Sequence, residues 1–483
     1  MTLTKKWIPF LLGILLIATY FWAFTLGDLR RNTVAFEYIF FSAFILYGIA
    51  CLYILHLEKD EHRLLYWIFA LVAVTQAILT LTRPTLSDDM YRYVWDGRVQ
   101  AQGISPYRYP PNAPKLAHLR DTDIYPSINR KNVVTVYPPA AQAAYALLWR
   151  IVPDNIRGFQ VAMASGGFLA GILLLGLLHD LGRSPSRVLI YLWSPLLAFE
   201  TAHAAHVDGL ILPFLVGAWW ARVRERDGLV GVLLGIATAL KFYPALLLPF
   251  LWRPGHAQGR WHMPLAFVST LGAFYVPYWF TSGSSVLGFL PRYFRETFNV
   301  GPLVSSLNDV LDWVGWHSPN RITLVALGVI AIFVCWAIIK PAFDAETAVR
   351  RCILPIGIIT LFSQNLFSWY MLWLLPLIAI FLEPSRKRFG ILALPCLDAW
   401  TGWLLFCGLV GLSYTFFVEW RPIKAAIYAQ FLPLYALLLI DAVRFLYKAL
   451  WPPHWLMSSS RRPRRHVSGN PCAGDGAERK VIT

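Results

Sequence analysis

The chain has 483 residues, of which 57% are hydrophobic and only 14% charged. A water-soluble domain cannot hide that much apolar surface. The formal net charge of +16 sits in short clusters between apolar runs, which argues for a membrane protein rather than a nucleic-acid binder. The composition predicts an all-α polytopic membrane protein.

Apolar runs of membrane-crossing length fall near 7–26, 35–57 and 64–82. After a polar interruption they recur near 158–179, 187–203, 206–222, 261–280, 322–339, 388–413 and 424–447. Shorter pieces at 229–240, 243–252, 352–365 and 369–383 come in pairs that read as hairpins of short or tilted helices. Together they predict roughly 12–14 spans. The first run lacks a small-residue cleavage site and reads as a retained helix rather than a signal peptide.

Basic clusters set the expected orientation. Lys5 and Lys6, Arg183 and Arg187, the Arg222/Arg224/Arg226 group, Lys340 with Arg350 and Arg351, and Arg386 to Arg388 all fall on one side, the cytoplasm, if 137–152 does not fully cross. Arg30 and Arg31 then lie on the opposite side, against the rule. Residues 1–456 form the expected membrane domain; 457–483 are basic, Ser/Gly-rich and read as a disordered cytoplasmic tail. The six cysteines show no metal spacing, and those in or beside spans read as small buried hydrophobes.

The polar interruption, 83–136, is the expected first external loop. Its stretch RPTLSDDMYRYVWDGRVQAQGISPYRYPP is aromatic and carries both charge signs. Residues 88–103 predict a short amphipathic helix ended by Gly103 and Pro106. Residues 112–135 read as irregular, and Tyr137-Pro138-Pro139 opens the next helix, where proline suits the first turn. Asp88 and Asp89 carry the chemistry in this reading. A carboxylate facing an acceptor hydroxyl can take its proton as that hydroxyl attacks an anomeric carbon. The competing reading is helix capping by Ser87 and Asp88. Asp96 shares a face with Asp89 at i, i+7, or pairs with Arg92 or Arg98.

Inside–outside alternation brings further polar segments to the same face: 203–208, 281–321 and 363–370. His206 and Asp208 suit capping, packing or a sugar hydroxyl, and His-x-Asp lacks further ligands nearby for a metal. Lys241 lies between apolar half-helices, and Arg292 and Arg295 lie near the outer boundary. These cations either snorkel or meet a lipid phosphate. Gln364 suits hydroxyl binding, while Tyr370 and its neighbouring Trp369 suit sugar stacking or an interfacial belt.

SDDMYRYVWDGRVQAQGISPYRYPP, followed by TVYPPAAQ, resembles the first external loop of GT-C superfamily glycosyltransferases, most of all polyprenyl- or dolichyl-phosphate-mannose-dependent mannosyltransferases. The matching elements are Asp88-Asp89, Tyr91 to Asp96, Gly103 to Tyr107, and Tyr109-Pro110-Pro111. YLWSPLLAFETAHAAHVDGL, GIATALKFYPALLLPF and SQNLFSWYMLWLLP resemble bacterial members. The resemblance spans roughly 83–380. It implies a GT-C-like membrane fold with a site on the non-cytoplasmic face, in a bacterial inner membrane. It also implies transfer of a hexose, mannose in the nearest pattern, from a polyprenyl-phosphate donor to a lipid or glycan acceptor, with inversion.

Substrate contacts would then fall on Tyr91, Arg92, Asp96, Tyr107, Tyr137, His206, Asp208, Lys241, Arg292, Arg295, Gln364 and Tyr370. Asp88 aligns better than Asp89 with the first acidic position of the relatives, although Met90 shifts the acidic pair relative to Tyr91. No Gly-rich phosphate loop is present, as expected for a lipid-phosphate donor, and no cofactor or metal is indicated. The rival readings are a lipid-linked sugar flippase and a surface-polysaccharide polymerase or ligase. A flippase would place polar groups near the midplane with repeat symmetry, whereas here they gather at one face.

Overall fold

The computed structural model describes residues 7–57, 62–255, 259–293, 296–389 and 391–450. Arg295, the amino-terminal lysines and the tail 457–483 lie outside the described residues. The molecule is a multi-pass all-α membrane protein. Its principal helices are α1 (Ile8–Leu26), α2 (Thr33–His56), α3 (His62–Thr80), α4 (Asp89–Ala101), α5 (Pro139–Ile151), α6 (Ile156–Asp180), α7 (Asp208–Val223), α8 (Asp227–Leu240), α9 (Gly259–Ser282), α10 (Pro302–Trp313), α11 (Arg321–Ile339), α12 (Ala399–Leu409) and α13 (Lys424–Leu450). Among the described residues, seven helical segments are long and apolar enough to cross a membrane: α1, α2, most of α3, α6, α11, Ala399–Val418 and most of α13. Most of the remaining apolar runs form shorter or interrupted helices, whereas 261–280 lies within the continuous 24-residue helix α9, which is long enough but less apolar. Residues up to Leu438 make one compact unit, and every wall of the cavity described below belongs to it.

The run expected as a span at 187–203 shows why. It is split into short pieces, Val188–Leu192 and Pro195–Leu197, followed by a π-helical turn over Ala198–His203. Pro195 has no N–H to continue the ladder and holds Ser194 in extended backbone. The carbonyls this frees need partners at membrane depth. The Tyr47 hydroxyl donates to Ile190 O at 2.6 Å, and at the end of the run Gln160 on α6 donates to the carbonyls of Ala202 and His203, and to that of Thr82, at 3.1, 2.9 and 3.1 Å. The buried Tyr47 thus takes a carbonyl at a break that a hydropathy profile reads as continuous.

Two of the arginines that marked the cytoplasmic loops are buried. Arg222 donates to the carbonyls of Leu251 and Ala342, both at 3.0 Å. Arg187 donates to Ala379 O at 2.9 Å and to Leu382 O, past the end of the helix Leu375–Phe381. They satisfy carbonyls at helix ends and in the connection after α11 rather than lipid phosphates.

One expected span is redrawn. Residues 384–395, which overlap the apolar run at 388–413, form an antiparallel pair, β1 (Pro384–Phe389) and β2 (Leu392–Pro395). β1 is basic and mostly exposed. The helix that follows starts only at Ala399, where the Asp398 carboxylate accepts from the Thr401 amide at 3.0 Å. Cysteines 51, 352 and 407 are buried as expected, whereas Cys335 is exposed.

The first loop is ordered. Its helix appears as α4, and Gly103 follows it in left-handed backbone (φ 70°). The stretch 112–135 is more structured than expected, with a 3₁₀ turn over Pro114–Leu119 and a helical turn over Ile124–Ser127. Asp121 organises the latter by accepting from the amides of Asp123, Ile124 and Tyr125. Burial opposes its charge, but these amides and the Arg98 guanidinium outweigh it and hold its carboxyl below the ordinary value.

Helix α5 begins with Pro139 at its first position, as expected, and α4 packs closely against it. A Cβ on Gly97 would meet Tyr145 O at 2.6 Å and Trp149 Cβ at 2.8 Å. Gly97→Ala is therefore expected to push the two helices apart, at about 1–3 kcal/mol. Thermal unfolding in detergent checks this, and an unchanged midpoint would mean the contact has slack.

Candidate functional site

A cavity of about 440 Å³ lies where the first loop meets segments around 207–208, 241–242, 289–298, 365–370 and 413–420. These are the polar segments that the sequence expected to converge, joined by the segment before α13. Of the expected site residues, Asp88, Asp89, Arg92, Tyr137, Asp208, Lys241 and Tyr370 line it.

The aspartate pair straddles the start of α4, and the two carboxylates have different partners. Asp88 is the N-cap residue of α4, yet its side chain makes no capping bond. Instead Arg30 donates to its two oxygens at 2.8 and 3.3 Å. Asp89 Oδ1 accepts from the Asn129 amide at 2.7 Å, and Oδ2 has no partner among the described residues. Ser87 Oγ accepts from the Asp89 amide at 3.3 Å.

Asp208 sits at the first turn of α7 with a side chain 1% exposed. Lys241 Nζ lies 2.9 and 3.0 Å from its oxygens, and Trp373 Nε1 donates to it at 2.6 Å. The lysine also stands over the Tyr370 and Trp373 rings, 4.7 and 5.1 Å from their centroids. It is held there because α8 ends at Leu240 and Lys241 adopts extended backbone. Tyr370 shares a 2.7 Å hydrogen bond with Tyr293, and Arg130 pairs with Glu296 on the same walls.

A second cavity of about 360 Å³ adjoins the first, lined by apolar side chains of 242–246, of α11 and of Ile353–Phe362, together with residues it shares with the first. Lys241, Phe242, Leu290, Tyr293, Glu296 and Tyr370 face both. Gln364 lines only this second cavity, while Arg292 is exposed and lines neither.

Other expected site residues are not on the polar cavity's walls. Asp96 is buried, pairing with Arg92 at 2.8 Å and accepting from Gln142 at 2.9 Å. The i, i+7 relation to Asp89 therefore does not make a second cavity carboxylate. Tyr91 is buried, and Tyr107 donates to Tyr137 O at 2.7 Å. His206 is buried between Glu200, 2.9 Å from its Nδ1, and Ser87, 3.0 Å from its Nε2, and stacks on Trp369 at 3.8 Å. Tyr414 in turn donates to Glu200. His206 thus reaches the site through Ser87 and Trp369, both of which line the cavity.

Sequence reasoning missed Arg30, Asn129, Glu200, Glu296 and the aromatic residues of 414–420. Two signals were available. Arg30 violated the charge asymmetry, and Glu200 is a lone carboxylate within an apolar run. No group of three His, Cys, Asp or Glu side chains arranged to hold a metal occurs among the described residues.

Residues 20–253 match the MptA_B family model, described as the N-terminal domain of alpha-(1->6)-mannopyranosyltransferase. Two curated relatives are named GPI mannosyltransferase 1. That of Aspergillus fumigatus is 32% identical over 115 residues, covering 21% of this chain and 27% of the relative. That of Aspergillus oryzae is 30% identical over 107 residues, covering 20% and 26%. The chain thus spans about a quarter of the length of these relatives. The resemblance read from the first loop is borne out: this is a multi-pass membrane protein whose residues 20–253 are similar to the MptA_B family of mannopyranosyltransferases, and part of the chain is similar to the GPI mannosyltransferases.

Proposed function

We propose that the protein transfers a mannosyl residue from a polyprenyl-phosphate donor to an acceptor hydroxyl at the non-cytoplasmic membrane face. The observation that carries this reading is the pairing of cavities. A charged cavity bearing three aspartates, Asp88, Asp89 and Asp208, shares the Lys241–Tyr293–Tyr370 wall with an apolar one. A lipid-linked sugar has the same two halves: a polar head and a hydrocarbon chain. The distribution of basic clusters supports the membrane side.

In this mechanism Asp89 takes the proton of the acceptor hydroxyl as its oxygen attacks the anomeric carbon from the face opposite the phosphate. The bond to the phosphate oxygen breaks, and the lipid phosphate leaves as an anion beside Lys241. Single displacement inverts the anomeric configuration. Asp89 is preferred over Asp88 because Asp88 already has a guanidinium on both oxygens, whereas Asp89 Oδ2 is unpartnered among the described residues. This reassigns the base from the position that sequence alignment favoured. The reading requires neither a nucleotide nor a metal.

Incubating the purified chain with a panel of polyprenyl-phosphate sugars and a mannoside acceptor tests the proposal. Release of free polyprenyl phosphate with the mannose donor, and an inverted product linkage by NMR, are expected. Movement of intact donor across a vesicle bilayer without cleavage would instead favour the flippase.

A further inference from the structure

Trp420 is the least expected residue of the cavity wall. It is 64% exposed and follows the helical turn Phe416–Glu419 in left-handed backbone (φ 54°). A bulky side chain rarely adopts that conformation, and such strain persists only where the surroundings impose it. Here it holds the indole at the cavity. Phe416 and Phe417 meet the indole edge-on, with centroids 6.2 and 5.7 Å away. The Arg30 guanidinium stands 4.9 Å over Phe417 while pairing with Asp88.

Three rings therefore gather beside a guanidinium–carboxylate pair. This combination suits a pyranose, whose C–H face packs on a ring while its hydroxyls bond to the charged pair. An interfacial aromatic belt would explain exposed rings facing lipid, but not rings lining a cavity next to an ion pair. Arg30, Asp88, Phe416, Phe417 and Trp420 all line the polar cavity, and none lines the apolar one. The cluster thus lies off the wall assigned to the lipid-linked donor.

We propose that Phe416, Phe417 and Trp420, with the Arg30–Asp88 pair, form the subsite for the acceptor's terminal sugar ring, and that the acceptor is a glycan ending in a pyranose. The assignment of this subsite to the acceptor rests on the transferase reading given above.

The test uses the full-length chain in lipid nanodiscs with methyl α-mannopyranoside and α-(1→6)-mannobiose as probes. Saturation-transfer NMR is expected to show binding of both to the wild type. Trp420→Ala should reduce the signal several-fold, and Trp420→Phe should retain most of it. In the transfer assay, Trp420→Ala should raise the acceptor KM at least tenfold and leave the donor KM unchanged. Unaltered probe binding in Trp420→Ala, absence of probe binding to the wild type, or a rise confined to the donor KM would each overturn the subsite. Failure of the transferase reading has a different signature: no donor is cleaved, while mannoside binding and its dependence on Trp420 persist.

Discussion

Asp89→Asn is expected to lower turnover by about 10²–10⁴-fold, the usual cost of removing a general base. Asparagine keeps the side-chain size and the oxygen that accepts from Asn129, so folding and donor binding should survive. Asp88→Asn acts differently. It leaves Arg30 beside a neutral amide and weakens the tie between the α1–α2 connection and the first loop. That ion pair is partly exposed, so the stability loss should stay near 1 kcal/mol or below. The main kinetic effect expected of Asp88→Asn is a raised acceptor KM. Single-turnover rates and thermal midpoints of the two variants check the assignment. An inactive Asp88→Asn with an active Asp89→Asn would return the base to the position that alignment favoured, and normal turnover in both would remove it from this pair altogether.

Lys241→Met should be the most damaging single change. It removes the cation assigned to the leaving phosphate and strands Asp208, whose side chain is 1% exposed, with Trp373 as its remaining hydrogen-bond donor. Breaking a buried pair from one side typically costs about 3–5 kcal/mol. The double variant Lys241→Met/Asp208→Asn removes both charges and should recover most of the folding. It should not recover donor use, because a charge-assisted hydrogen bond worth about 1.5–3 kcal/mol corresponds to roughly 10–150-fold. Donor and acceptor KM measured separately decide the point. A stable double variant with wild-type donor KM would confine Lys241 to neutralising Asp208.

The helical class, the first loop and its short helix were legible because they depend on local signals. A polar, aromatic stretch stands out in apolar surroundings, and glycine and proline mark its ends. The aspartate pair was legible for the same reason. What could not be read were pairings over long sequence separations. Arg30 reaches Asp88 across 58 positions, Asn129 reaches Asp89 across 40, and Trp373 reaches Asp208 across 165. Helical periodicity placed Asp96 near Asp89, but the direction in which α4 packs on α5 turned it into the interior instead. The span count was soft for a related reason. Pro195 breaks the chain where hydropathy sees continuity, with Tyr47 on a nearby carbonyl, and a strand pair occupies residues 384–395.

The spread of the cavity wall from Arg30 to Trp420 also bears on how the chain is made. The Arg30–Asp88 and Asp208–Lys241 pairs join residues 58 and 33 positions apart, so each closes soon after its second partner leaves the ribosome. Trp373, the third member of the Asp208 cluster, follows Lys241 by more than a hundred residues. At ~5–20 residues per second that is roughly 7–26 seconds. During that interval the nascent protein carries paired charges facing an unfinished aromatic wall. The ion pairs thus join elements early in the chain, and the aromatic segments that complete the cavity wall come last in the sequence.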